Sequence, residues 1–336
     1  MKMIINEVRQ MRAIIVGILS SLFFSATFII NRAMNLSGTS WAWTASLRFL
    51  LALPFLIAIV AFRGNLAGLF REMRKHPLQW LLWGTLGGVG FYSLLSFAAV
   101  YAPSWLTSGT WQITILAGAL LSPLFFVTVP GPDGPRQVRQ AIPYKSLRIS
   151  VIILIGVILM QVTEAGQITM SELLAGFLPV LVAAFLYPLG NRKMMELCHG
   201  RLDTFQRTLG MAISSLPIAI LLGSYGTATV GWPTSPQLLQ ALLLAICSGV
   251  IASLLFFLAT DMAKHNAMLL AAVESTQSGT MVFTVLGEVL LLNGSFPQGW
   301  SMAGMIIVII GMMATSLSGR RFAPAKPGAA GKEQSA

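Results

Sequence analysis

Ten apolar stretches follow one another along this chain, and nearly every basic residue falls in every second gap between them. The stretches lie near 13–31, 42–62, 79–100, 104–128, 149–163, 172–190, 207–223, 237–260, 267–292 and 299–318. Most match the roughly 20 apolar residues with which a helix crosses a bilayer core. The fifth is short unless the bilayer thins around it or Glu164 sits at headgroup level. With 55% hydrophobic and 10% charged residues, the chain lacks the polar surface of a soluble domain, so its bulk solvent is lipid. The expected fold is therefore an all-α integral membrane protein of ten transmembrane helices.

A formal charge of +11 invites a nucleic-acid reading, but the placement of the charge argues against one. If the N-terminus is cytoplasmic, every Lys and Arg except Arg32 and Arg48 lies on the inner side. That is the positive-inside rule, which places both termini in the cytoplasm and makes the basic excess a topology signal. The first apolar run, Ala13 to Ile30, is too long for a cleaved signal peptide and nine more follow it. Cys198 and Cys247 do not share an oxidising compartment, so no disulfide is expected. The tail, 320–336, reads as disordered.

Internal similarity divides the rest into two five-helix units, 1–163 and 164–319. Asn31-Arg32-Ala33-Met34 at the end of stretch one resembles Asn191-Arg192-Lys193-Met194 at the end of stretch six. Stretches three and eight align at an offset of 161, which pairs Gln79 with Gln240, Gly88 with Gly249 and Val89 with Val250. Stretches two and seven share an early Arg and a midway Pro (Arg48, Pro54; Arg207, Pro217). Gln112 of stretch four falls opposite Gln277 of stretch nine, which sets Pro123 opposite Glu288. Five is odd, so the second unit enters the membrane from the other side and the repeat is inverted. Two such halves can exchange conformations about a midplane site, which is alternating access.

Charged groups in hydrocarbon cost roughly 2.5–3.5 kcal/mol each, so those within the stretches should face an interior cavity. Stretch nine carries the densest polar set, Glu274, Gln277, Met281 and Glu288, on one stripe of a 3.6-residue period. At 1.5 Å per residue the two glutamates stand about 21 Å apart, too far to form a carboxylate pair. Glu274, the deeper one, is the expected cavity group and proton carrier, because desolvation moves a carboxyl pKa toward neutrality. Glu288 is either an interfacial carboxylate or the partner of Arg48, in a gate or a static structural pair. Asn31 and Asn191 are read as ending stretches one and six, as caps or as substrate contacts beside Pro188.

Trp111, Phe91, Tyr92, Phe256 and Phe257 are candidates for an aromatic cavity wall suited to lipophilic or cationic substrates. Trp41, Trp43, Trp105, Trp232 and Trp300 read as an interfacial belt. Glycines 84, 87, 88, 90 and 249 and Ala245 permit close helix contact. The three dispersed histidines give no metal site. No nucleotide-binding, metalloprotease or serine-hydrolase motif appears, so neither enzymatic activity nor a cofactor is expected.

The ten-helix inverted arrangement, Arg48 near the start of helix two and Gly287-Glu288 late in helix nine resemble the drug/metabolite transporter superfamily. The Gly-Glu pair is similar to the EamA-type signature. Tyr187-Pro188-Leu189-Gly190-Asn191-Arg192 and Trp111-Gln112 look like the ten-helix multidrug resistance efflux branch. The resemblance spans about residues 10–318 and implies a proton-coupled secondary exporter in a bacterial inner membrane. The implied partners are a small organic solute, protons and lipid, with a homodimer left open. Two departures stand out: Pro123 replaces the Gly-Glu glutamate in the first repeat, and helix one lacks a central glutamate. Proton coupling, if present, then falls to Glu274. The competing readings are a passive facilitator and a membrane scaffold or sensor without transport.

Overall fold

A segment surrounded by lipid must satisfy its backbone N–H and C=O groups internally, and apolar runs of this length do so as helices. The computed structural model describes residues 2–131, 134–142, 144–164, 169–263, 269, 273 and 276–318. Helices α1 (Lys2–Leu36) and α2 (Trp41–Phe62) are followed by a short α3 (Leu66–Lys75). Next come α4 (Pro77–Thr85) and α5 (Phe91–Tyr101), joined by a π-helical segment, Leu86–Gly90. Then α6 (Ser104–Trp111) and α7 (Ile113–Leu120) meet at Gln112, and α8 (Tyr144–Glu164) completes the first half of the chain. In the second half, α9 (Met170–Cys198) and α10 (Thr204–Val230) precede α11 (Ser235–Leu244) and α12 (Ala252–Ala263), which flank a second π segment, Ala245–Ile251. A single 3-10 turn, Thr276–Ser278, leads into α13 (Gly279–Leu292), and α14 (Trp300–Ser318) follows.

Six helical runs are long and apolar enough to cross a membrane: Gln10–Leu36, Trp41–Phe62, Pro77–Tyr101, Met170–Cys198, Thr204–Val230 and Ser235–Thr260. Shorter apolar helices cover Val151–Gln161, Thr276–Leu292 and Trp300–Ala314. The fourth stretch is shorter than its sequence implies. Its helix ends at Leu120, a one-turn 3-10 segment covers Ser122–Leu124, and Phe126–Gly131 (β1) pairs antiparallel with Gly134–Arg139 (β2). The wholly α expectation therefore misses one hairpin. Phe-Val-Thr-Val is a β-favouring run, and its pairing ends where Gly131 faces Gly134.

Two further expectations fail for packing reasons. Asn31 and Asn191 do not end their helices, because α1 continues to Leu36 and α9 to Cys198. Trp43 and Trp105 do not belong to an interfacial belt: they are 6% and 4% exposed and pack in two hydrophobic clusters. Trp232 and Trp300, 78% and 68% exposed, do lie on the surface at helix ends.

The helices pack in a regular scheme, α2 against α10 and α8 against α14. Helix α1 packs on α12 and α13, while α9 packs on α5, α6 and α7. Glycines set the closest approaches. A Cβ at Gly190 would run into the Gly87 backbone and lie 2.9 Å from the Trp83 carbonyl oxygen. A Cβ at Gly156 would lie 2.6 Å from the Gly304 carbonyl oxygen, which ties α8 to α14. Such backbone contact is how membrane helices gain dispersion without a hydrophobic driving force.

Charge closes one end of the bundle. Helix α3 buries Leu69 and Glu72, and the Glu72 carboxylate takes Lys75 at 2.6 Å and Arg201 at 2.9 Å. Arg63 reaches Asp203 at 3.2 Å, and Asp203 also caps α10 by accepting from the Gln206 N–H at 2.8 Å. The turn before α10 is thereby clasped to the segment after α2. At the opposite end the same two helices meet through neutral groups, with Trp43 Nε1 donating to the Gly231 carbonyl at 3.0 Å.

Hydrogen bonding to Lys75, reinforced by Arg201, holds the Glu72 carboxyl below its ordinary value of 4.5, against a smaller opposing effect of burial. A lowered folded-state pKa gives stability that is present above that ordinary value and lost as pH falls through the lowered one. The melting temperature of wild type should therefore exceed that of Glu72→Gln at pH 7, and the gap should narrow as pH falls below 4.5. A gap unchanged down to pH 3.5 would contradict the charged clasp. Gly190→Ala should cost about 1–3 kcal/mol through the Gly87 backbone, measured by thermal unfolding in detergent. Gly118→Ala, whose Cβ meets nothing nearer than 3.5 Å, serves as the tolerated control.

Candidate functional site

Four of the apolar stretches are interrupted in the structure, and polar side chains gather at the interruptions. In the third span, Gly88 leaves helical geometry at φ −114°, ψ −113°. A π segment frees backbone groups from the regular ladder. The Val89 N–H is satisfied by the Ser215 hydroxyl from α10 at 3.1 Å. At the second π segment the Ser20 hydroxyl of α1 donates to the Ala252 carbonyl at 2.9 Å. In the fourth span Gln112 stands between α6 and α7, buried, with its Nε2 donating to the Ser108 carbonyl at 2.9 Å. In the ninth, Gln277 sits in the 3-10 turn before α13, and its buried Nε2 has no partner among the described residues.

Around the first pair of breaks lies an aromatic cluster. Tyr92, fully buried on α5, donates its hydroxyl to Asn31 Oδ1 of α1 at 2.6 Å. The Arg48 guanidinium of α2 lies over the Tyr92 ring, 3.9 Å from its centroid, a cation–π contact. Phe91 stacks on Trp111 with centroids 5.6 Å apart and planes at 27°. Tyr187 of α9 completes the group, 4.8 Å from Phe91 and 5.5 Å from Trp111. Asn35 steadies the α1 side by donating to the carbonyls of Asn31 at 2.9 Å and Ser96 at 3.4 Å.

The structure thus brings together Asn31, Arg48, Tyr92 and Trp111, with Gln112 beside Trp111. It does not bring Arg48 to Glu288. The Glu288 carboxylate, 5% exposed, instead accepts the Ser104 backbone N–H at 3.0 Å and so caps the α6 N-terminus. An unfilled helix N-terminus is a strong attractor for an anion, and this one outcompetes a distant guanidinium. Asn191 turns back on its own helix, donating to the Tyr187 carbonyl at 3.2 Å. Phe256 packs edge-on against Phe24, 6.5 Å away. Glu274 and the side chain of Phe257 lie outside the described residues.

Sequence reading passed over Tyr187 as a site residue, along with Phe49, Ser215 and Ser20. Phe49, directly after Arg48, packs edge-on to Tyr92 at 6.1 Å. The signal for Tyr187 was the proline after it, since a proline inside an apolar helix marks a place where backbone and cavity meet.

A family model described as "EmrE: Putative multidrug resistance efflux transporter" matches residues 11–321. The chain belongs to this family. "Uncharacterized protein YjlA" of Bacillus subtilis (strain 168) is 53% identical over 317 residues, covering 94% of this chain and 97% of that protein. A protein of Shouchella clausii, "Uncharacterized 42.1 kDa protein in intracellular alkaline protease 3'region", is 49% identical over 269 residues, 80% of this chain and 70% of that one. A solved chain titled "Crystal structure of protein" shares the fold at a TM-score of 0.58 and 18% identity, over 92% of this chain and 97% of its own. The family sets this protein among membrane efflux transporters that handle small molecules.

If Glu288 serves α6 and Arg48 serves the aromatic cluster, their energies are independent. Arg48→Gln and Glu288→Gln should add to within about 0.5 kcal/mol in a double-mutant cycle of thermal unfolding. A coupling above roughly 1 kcal/mol would reinstate the ion pair.

Proposed function

We propose that this family member is a secondary active exporter of a small organic solute, working by alternating access between two inverted five-helix halves. The observation that carries the reading is the matching of its interruptions. The π segment Leu86–Gly90 corresponds, at the offset of 161 that pairs Gly88 with Gly249, to residues 247–251 of the second π segment. The break at Gln112 corresponds to the 3-10 turn holding Gln277. The packing scheme has the same symmetry. Exchanging the first five spans for the second five turns α1 on α12 into α9 on α5, and α1 on α13 into α9 on α6 and α7. The pairs α2–α10 and α8–α14 map onto themselves.

Matched discontinuities near mid-depth are where inverted-repeat transporters build their sites, because unwound backbone and polar side chains can face a cavity there. In this reading the solute lies beside Trp111, Tyr92 and Asn31 in the first half, and the ion-coupling group in the second. The polar stripe of the ninth span has no carboxylate counterpart in the fourth. Glu274 is the coupling carboxylate in this reading and loads a proton when the solute has left. The charged end of the bundle is cytoplasmic and the membrane is the bacterial inner membrane, by the positive-inside rule.

Proteoliposomes with an imposed pH gradient test the mechanism. Wild type should move solute against its gradient when the proton gradient is inward to the export direction, and a collapsed gradient should stop it. Glu274→Gln should lose the gradient dependence while keeping solute exchange. Gradient-independent equilibration by wild type would make the protein a passive facilitator instead.

A further inference from the structure

The cluster around Tyr92 presents a cation without a matching carboxylate. Arg48 is partly buried about seven residues into α2, and no carboxylate lies within ion-pair distance of it among the described residues. The glutamate that could have neutralised it is committed to the α6 N-terminus. A second guanidinium lies one and a half turns beyond Tyr187 on α9. Arg192 Nη1 is buried without a partner among the described residues, and its Cζ lies 5.5 Å from the Phe125 ring. A guanidinium buried in a membrane bundle without a carboxylate is costly unless an anion visits it.

The aromatic faces point the same way. An aromatic cavity is usually read as a seat for a cationic substrate. Here the Tyr92 face is already occupied by Arg48 at 3.9 Å, and Trp111 is stacked on Phe91. A cationic solute would meet a resident positive charge, whereas an organic anion would complete it.

We propose that Arg48, with Tyr92, Phe91, Trp111 and Tyr187, forms a binding site for an organic carboxylate carrying an aromatic or bulky apolar body. The planar guanidinium offers a two-point grip on the carboxylate, and the neighbouring rings offer apolar contact to the body of the ligand. Tyr92 holds the guanidinium over its ring, and Asn31 fixes Tyr92 through the hydroxyl. That this ligand is the transported solute rests on the exporter reading above; that it binds does not.

Three probes on one aromatic skeleton test the charge preference: indole-3-acetate, the neutral indole-3-acetamide and the cationic tryptamine, titrated calorimetrically into purified wild-type protein. Indole-3-acetate should bind at least about ten-fold more tightly than the amide, with tryptamine weakest. Arg48→Gln should erase the preference for the acid, and Arg48→Lys should retain part of it, because a point charge replaces a planar fork. Tryptamine binding as tightly as the acid, no binding by any of the three at millimolar concentration, or a folded Arg48→Gln that keeps the preference would each overturn the proposal. Should Arg48→Gln fail to fold, the ranking in wild type still decides. Transport separates the two readings. Arg48-dependent binding of the acid without its passage into proteoliposomes sinks the exporter and leaves the site. Gradient-driven passage of tryptamine with none of the acid does the reverse.

Discussion

In lipid, a backbone N–H or C=O that leaves the helical ladder finds no water to replace its partner, so every interruption must be serviced by a side chain. The organisation of this bundle follows from that requirement. Two π segments open two helices, and a serine from a neighbouring helix meets the backbone at each: Ser215 at Val89 and Ser20 at Ala252. These serines tie α10 to the third span and α1 to the eighth, so the breaks are also joints between helices. Glu288 does the same at the start of α6, filling a helix N-terminus from α13. Polar residues that looked costly in isolation turn out to be the partners that the irregular backbone demands.

The same requirement separates the polar groups into two populations. Ser20, Ser215, Gln112 and Glu288 have their hydrogen bonds to backbone and can be explained by architecture. Gln277 Nε2 and Arg192 Nη1 are buried without partners among the described residues, and Arg48 has the Tyr92 hydroxyl and two aromatic rings but no carboxylate among those residues. Groups in the second population are where a ligand would lower the free energy most, since they lack what the first population already has. The aromatic cluster gains its functional interest from Arg48, not from its rings, which would otherwise read as ordinary packing.

Much of this was legible in the sequence because it depends on period and composition. The apolar stretches fix the helices, and the alternation of charge separates the basic end, with its clasp of Arg63, Glu72, Arg201 and Asp203, from the neutral one. Gly88, Gly249, Gln112 and Gln277, polar or small residues within apolar stretches, each fall at an interruption. What was not legible was which polar groups meet. Arg48 and Glu288 looked like partners because depth and sign matched, yet a linear sequence does not reveal that the Ser104 N–H lies nearer the carboxylate. Trp43 and Trp105 looked interfacial because they sit at stretch ends, and only packing reveals neighbours on both sides. The hairpin after Leu120 was hidden because a β-favouring apolar run has the same hydropathy as a helix end.

The charged clasp and the interior cluster lie on helices that share joints, and this bears on how the bundle could move. Helix α2 carries Arg48 about two turns from its start and precedes Arg63, which grips Asp203, the cap of α10. Helix α10 in turn carries Ser215, which services the π segment next to Tyr92. A displacement of α10 at the basic end therefore bears on both the Arg63–Asp203 contact and the backbone beside Tyr92. Exposed ion pairs of this kind contribute little stability, roughly 0–1 kcal/mol, so they can open at small cost. The glycine contact of Gly190 with Gly87 has no such freedom, because backbone touches backbone. The Arg63–Asp203 contact that joins α2 to α10 at the basic end is thus weak, whereas α9 is held to the Leu86–Gly90 segment backbone to backbone.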